Sequence, residues 1–206
     1  MMKQDILIVG VGGQGVLLAS ELLSSVAMEA GYDVKKSEVH GMAQRGGVVS
    51  SHVRLGERVY SPLIPEGRAN VLLAFEQSEA LRWIHFLRPD GAAIINSKKL
   101  VPPIALLKGK GPAYPEDPVG GIRKRISRVF VVPAESIARE LENPRIENTV
   151  LLGTLSCFLE IPGSVWESVI TRRVPKGTED VNLRAFRSGI ERGRHSDGTR
   201  GTDAHA

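Results

Sequence analysis

A chain of 206 residues, 42% hydrophobic and 24% charged, is long enough to bury one substantial core and short for two. Its single cysteine, Cys157, excludes an internal disulfide and any iron–sulfur or zinc site built on several thiolates of this chain. A net charge of +4 with only 5% aromatic residues, Phe186 alone falling within the basic stretches at 121–128 and 172–200, argues against nucleic acid as a partner; no apolar run approaches the roughly 18 residues of a membrane span.

In chain order, residues 6–9 (Ile-Leu-Ile-Val) read as a strand buried on both faces, too short and too soon followed by glycines for a signal peptide. A cytoplasmic protein is expected. Residues 15–30 carry apolar positions at helical spacing, with Gly31 as the residue that ends the helix, and 32–39 form a second strand. After a second glycine loop, residues 48–55 alternate in polarity and predict a hairpin with 58–61. Residues 71–75, 92–96 and 129–132 are further short strands, and 77–87 is a helix closed by an Arg-Pro-Asp-Gly turn at 88–91. The proline-rich stretch 101–121 reads as a loop, and helices follow at 134–141, 150–159, 165–170 and 180–189. The pattern is α/β: a three-layer, Rossmann-like sandwich with a mainly parallel sheet and an inserted β-hairpin. Residues 1–192 make one domain, and 193–206, which lack apolar residues, are expected to be a disordered tail.

Two loops carry the chemistry. Gly10, Gly12 and Gly15 satisfy G-x-G-x-x-G between a strand and a helix, where backbone N–H groups and the helix dipole suit a phosphate. The same glycines also suit a tight turn with close helix packing. Glu38 is the one acid placed to hold a nicotinamide cofactor's ribose, but it runs straight into the second loop, His40-Gly41-Met42-Ala43-Gln44-Arg45-Gly46-Gly47. There Arg45 can grip an anion bidentately, with Gln44 and Ser37 as neutral donors. The candidate ligand-binding set is Gly10, Gly12, Gly13, Gln14, Gly15, Ser37, Gln44, Arg45, Gly46 and Gly47. No catalytic residue is assigned, and the five scattered histidines give no metal-ligand spacing. Glu76 reads as a helix cap, residues 60–66 as a partner interface or a satellite of the core, and Cys157 as a small buried hydrophobe.

These stretches, with 60–65, 71–76, Asn143-Pro144-Arg145, Asn148, 174–176 and 182–186, resemble the gamma-type domain of the 2-oxoacid:ferredoxin oxidoreductases. The resemblance implies a subunit without cofactors of its own, inactive alone. Its large partner would hold thiamine diphosphate, magnesium and 4Fe-4S clusters and oxidatively decarboxylate an arylpyruvate of the indolepyruvate type. Coenzyme A would accept the acyl group and ferredoxin the electrons, with Gly12, Gly13, Gln14, Gly15, Arg45 and Gly46 facing the cleft of the complex. It leaves open whether two copies of the chain pair. The alternative from the residues alone is a stand-alone nucleotide-binding protein or NAD(P)-dependent reductase.

Overall fold

The computed structural model describes residues 3–40, 47–101 and 114–197. Six strands, β1 (Gln4–Val11), β2 (Asp33–His40), β3 (Val48–Gly56), β4 (Ala69–Ala74), β5 (Leu87–Asn96) and β6 (Arg128–Val132), form one sheet in the order β2-β3-β1-β4-β5-β6. The β1, β4, β5 and β6 strands are parallel, while β3 runs antiparallel to both β1 and β2.

Helices cover both faces, because the central strands are apolar on both sides. Ile6, Ile8, Val71 and Leu73 face α1 (Val16–Glu29), α4 (Ala134–Glu140), α5 (Glu147–Ser156), α6 (Gly163–Arg173) and α7 (Glu179–Asp197). Leu7, Val9, Leu72 and Ala74 face α2 (Gln77–Trp83), α3 (Pro118–Arg123) and the 3-10 turn Ile84–Phe86. The expected mainly parallel three-layer sandwich is the one observed.

The antiparallel element differs from the expected hairpin. β3 is wedged between β1 and β2, with Ile6 opposite Val53 and Ser37 opposite His52, and residues 58–61 form no strand. The alternation at 48–55 was legible; its partner was not, because a strand with two long neighbours gains more backbone hydrogen bonds than one folded onto a four-residue piece. Residues 57–65 instead cross the sheet face as a strap. Arg54 Nη1 donates to the Ser61 and Leu63 carbonyls at 3.1 and 2.9 Å, and Ile64 N donates to His52 Nδ1 at 3.2 Å. Val59 and Ile64 are buried beneath it while Tyr60 and Leu63 stay exposed.

Four further expectations change. The Arg-Pro-Asp-Gly turn lies inside β5, where the register against β4 shifts between Ala69 and Val71. Part of the proline-rich stretch is helical: Pro118 starts α3, and Asp117 Oδ1 accepts from Gly120 N at 2.8 Å. The last helix runs through Gly193 to Asp197, past the expected start of the tail. Gly193 acts as a packing position and not a breaker, since a Cβ there would lie 2.8 Å from Cys157 Sγ. Cys157 itself is exposed, at the end of α5 where the sequence still reads as apolar.

Candidate functional site

The parallel strands deliver their C-terminal ends to one edge of the sheet. The β1 strand leads into α1 on one face and β4 into α2 on the other, so the crevice between them is a topological switch point, where open α/β sheets bind ligands. An open cleft of about 830 Å³ lies at this edge, lined by the glycine loop, by Lys98 and Leu100 after β5, by Glu135 and Arg139 of α4, and by the Asn143–Asn148 turn into α5.

The glycine loop is built around Gln14. Its Oε1 accepts from Val11 N at 2.7 Å and its Nε2 donates to the Phe75 carbonyl at 3.0 Å, tying the end of β1 to the end of β4. Gln14 is thus a clamp on the loop, its carboxamide already engaged. Gly10 is buried and does not line the cleft; a Cβ there would sit 2.9 Å from each of Gln14, Phe75 and Val16, so close packing requires glycine. Gly12 N donates to the Gly47 carbonyl at 2.8 Å, which brings the near end of the second loop against the first. Gly13 and Gly15 have φ of +97° and +84° and line the cleft. Among the described residues no side chain caps the α1 N-terminus, which leaves first-turn amides without a side-chain acceptor beside the cleft.

Ser37 lies on β2, beyond β3, and does not reach this cleft. Gln44, Arg45 and Gly46 lie outside the described residues. Glu38 is held by Lys36 Nζ at 2.7 Å and by Ser20 Oγ at 3.2 Å, contacts that tie it to its own strand and to α1.

Sequence reasoning passed over the far wall. Lys98 pairs with Glu147 at 2.8 Å and lies 3.6 Å from Glu135, and Asn96 Nδ2 donates to the other Glu147 oxygen at 3.1 Å. Arg139 and Arg145 are exposed, and among the described residues their guanidinium groups have no ion-pair partner. Asn148 is 5% exposed yet lines the cleft opposite Gly15. The signal available was positional: residues just past a buried parallel strand, and those opening a helix after Asn-Pro-Arg, gather at this edge.

One buried carboxylate shapes the wall from behind. Glu76, wholly buried, caps α2 as expected, accepting from Glu79 N at 2.9 Å and Ser78 Oγ at 2.5 Å. It also accepts from Leu100 N at 3.2 Å and from the Tyr114 hydroxyl, so the segment after β5 hangs on it. Burial, then the bond to Glu76, pushes the Tyr114 phenol well above its ordinary range, so Tyr114 stays a donor throughout the working pH range. Glu79 is raised mainly by burial.

These features define an α/β domain with a glycine loop at a sheet switch point and a polar cleft between loops of two layers. Residues 5–192 match the family described as pyruvate ferredoxin/flavodoxin oxidoreductase. The chain is 41% identical over 202 residues to indolepyruvate oxidoreductase subunit IorB of Thermococcus kodakarensis, covering 93% of this chain and 96% of that one. It is 31% identical over 201 residues to 2-oxoglutarate synthase subunit KorC of Methanothermobacter thermautotrophicus, with coverages of 92% and 94%. Among solved structures, the gamma subunit of a keto/oxoacid ferredoxin oxidoreductase from Geobacter sulfurreducens shares the fold with a TM-score of 0.68 at 20% identity, over 93% of this chain and 99% of that one. The 2-oxoglutarate:ferredoxin oxidoreductase of Magnetococcus marinus, solved with 2-oxoglutarate, coenzyme A and succinyl-CoA bound, superposes with a TM-score of 0.73 at 19% identity, over 95% of this chain and 32% of that one.

The chain belongs to the pyruvate ferredoxin/flavodoxin oxidoreductase family. It is a subunit of the 2-oxoacid:ferredoxin oxidoreductase kind, and the stand-alone NAD(P)-dependent reductase is not favoured.

Proposed function

We propose that this chain is the small subunit of a cytoplasmic indolepyruvate-type 2-oxoacid:ferredoxin oxidoreductase, inactive without its large partner. In this reading its gamma-type domain closes the cleft of the complex over coenzyme A. The substrate class is supported by the 36–41% identity to subunits named for indolepyruvate, above the 28–31% to those named for 2-oxoglutarate.

The donor set of this chain does not fit the redox groups. One cysteine cannot supply the four thiolates of a 4Fe-4S cluster, and among the described residues no three His, Cys, Asp or Glu side chains come together as a metal site would need. Thiamine diphosphate, magnesium and the clusters are therefore assigned to the large subunit, which supplies the decarboxylation and the electron path to ferredoxin. What this chain has is a phosphate-compatible cleft, and that observation carries the reading: positive-φ glycines at a sheet switch point and, among the described residues, a helix N-terminus without a side-chain cap and two arginines without an ion-pair partner. Gly12, Gly13, Gln14 and Gly15 shape the loop, Arg139 and Arg145 stand at its rim, and Arg45 and Gly46 of the second loop are proposed to join them. Holding the co-substrate this way supplies orientation and excludes water; the hard chemistry stays with the cofactors. The basic sequence pI of about 9.4 suits docking to an acidic electron carrier such as ferredoxin.

Anaerobic purification of the tagged chain from its native cells tests the reading. The expected product is a brown complex containing thiamine, whose arylpyruvate oxidation requires coenzyme A and ferredoxin. A colourless chain recovered alone, whose melting temperature rises with NAD(P), would overturn it.

A further inference from the structure

We propose that Asn148 is the buried hydrogen-bond donor of a diphosphate subsite in this cleft, held in register by a side-chain relay from α7. The inference rests on the reading of the cleft as a phosphate site and names the residue and ligand group that specify it.

The relay begins at the α7 N-terminus. Asn182 Nδ2 donates to the Thr178 carbonyl at 2.9 Å and to Thr178 Oγ1 at 3.2 Å, so its Oδ1 faces the other way, toward Thr149. Thr149 Oγ1 donates to that Oδ1 at 2.8 Å, while Thr149 N donates to Asn148 Oδ1 at 2.9 Å. The carboxamide of Asn148 is thereby oriented: its oxygen is spent on backbone, and its Nδ2 turns to the glycine loop. A Cβ placed on Gly15 would lie 3.7 Å from that Nδ2. Asn148 and Asn182 are each 5% exposed and Thr149 only 1%. Among the described residues, Asn148 Nδ2 has no hydrogen-bond partner, although its carboxamide oxygen is fully engaged.

The side chain is buried but its Nδ2 stays open to the cleft, so this oriented donor is met by water until a ligand oxygen accepts from it. The neighbouring donors point to that ligand. The first turn of α1, without a side-chain cap among the described residues, offers backbone amides beside the cleft, and Arg145, three positions before Asn148, adds a guanidinium at the rim. Donors from the helix start, the Asn148 amide and the rim arginine suit an anion with several non-bridging oxygens, a diphosphate more than a single carboxylate. Glu135, Glu142 and Glu147 also line the cleft and balance Lys98, Arg139 and Arg145 in formal charge. Recognition therefore works through oriented short-range hydrogen bonds and depends only weakly on salt.

Asn148→Leu removes the Nδ2 donor at similar volume and adds no charge, whereas Asn148→Asp would place a negative charge beside the anion. Calorimetric titration of the full chain with inorganic pyrophosphate should show binding that the variant weakens about tenfold or more, the loss of one hydrogen bond to a charged group. In the unmodified chain, the Asn148 side-chain amide resonance should shift on adding pyrophosphate, a readout that survives if the variant fails to fold. Titrations with ADP and coenzyme A distinguish a plain nucleotide from a pantetheine-bearing one, and each should show the same dependence on Asn148. An unmoved Asn148 resonance, or a folded variant that binds pyrophosphate as well as the parent, overturns the assignment while leaving the cleft reading intact. Failure of the unmodified chain to bind any of the three overturns both.

Discussion

Two polar clusters sit at opposite ends of β1, and they differ in how their hydrogen-bonding capacity is spent. At the start of the strand, Arg54 of β3 grips Asp5 through Nε and Nη2 at 2.9 and 3.2 Å, and its Nη1 donates to two carbonyls of the strap. Asp5 N in turn donates to Asn70 Oδ1 at 2.8 Å. Every arm of the Arg54–Asp5 pair ends on the protein itself. At the other end, the cleft keeps Arg139, Arg145 and the Asn148 amide unspent among the described residues. Both ends are concave and both hold arginines, so charge alone does not tell them apart. Accounting for each donor does: a closed account builds structure, and an open one receives a ligand.

Arg54→Leu is the sharpest test of the first half of that comparison. It strands the Asp5 carboxylate, 5% exposed, and two strap carbonyls, and should lower stability by about 3–5 kcal/mol in chemical denaturation. A loss below about 1 kcal/mol would show that the strap end is not a closed structural account.

The next effect compares two helix ends with the same geometry. α1 ends with Gly31 at φ +88°, Gly31 N donating to Met28 O and Tyr32 N to Ala27 O. α4 ends on the same double bond, Glu142 N to Arg139 O and Asn143 N to Ala138 O, but its left-handed residue is Glu142, at φ +54°. Glu142→Gly should therefore stabilise the chain by about 1 kcal/mol, read as a raised denaturation midpoint. An unchanged or lowered midpoint would show that the Glu142 side chain has a stabilising contact of its own at the cleft.

His52 provides a pH test of the strap. Burial, then the nearby Arg54 charge, lowers its pKa below the ordinary 6.5, so the folded chain holds it neutral. The unfolded chain binds the extra proton, so the stability His52 contributes is present above about pH 6.5 and is lost as pH falls through that value toward the lower folded pKa. Glu79, raised by burial, acts with the opposite sign from about pH 4.5 upward, so the parent's total slope mixes the two. His52→Asn, which retains an acceptor for Ile64 N, removes only the histidine part. The stability advantage of the parent over the variant should shrink as pH is lowered from 7 to 5, and a constant difference would contradict the assignment.

The smallest expected effect belongs to the open cluster. Arg145→Ala should change stability by less than about 0.5 kcal/mol, as an exposed substitution without partners does, while raising the coenzyme A KM of the complex and sparing the arylpyruvate KM. A stability loss comparable to that of Arg54→Leu would erase the distinction between the two ends.

Much of the fold was legible because it is local. The apolar run at 6–9, the glycine turn, the helix ended by Gly31 and the cap at Glu76 each follow from neighbours within a few residues. The glycine loop was legible as a candidate for the same reason, and it does line the cleft, although Gln14 and Gly10 hold the loop together and Ser37 lies away from the cleft. Asn148 could not be found this way. Nothing in its flanking residues says that Asn182, 34 positions later, orients its neighbour, or that Gly15, 133 positions earlier, leaves room for it.

Pairing followed the same division. Alternation at 48–55 fixes a strand and its two faces, but whether that strand folds onto 58–61 or slides between β1 and β2 depends on hydrogen bonds to segments far away in sequence. Gly153 and Gly189 likewise look dispensable in sequence, yet a Cβ on either would lie 2.0 Å from a carbonyl oxygen of the facing helix, so the approach of α5 to α7 demands both. The sequence by itself determined most element types and the layers, since local backbone preference and periodicity suffice for these, while its motifs carried the resemblance to the family and marked a glycine loop as a candidate site. Only the tertiary structure decided the strand order, the opposite wall of the cleft and which polar groups remain open, because burial and long-range hydrogen bonding exist only once distant segments meet.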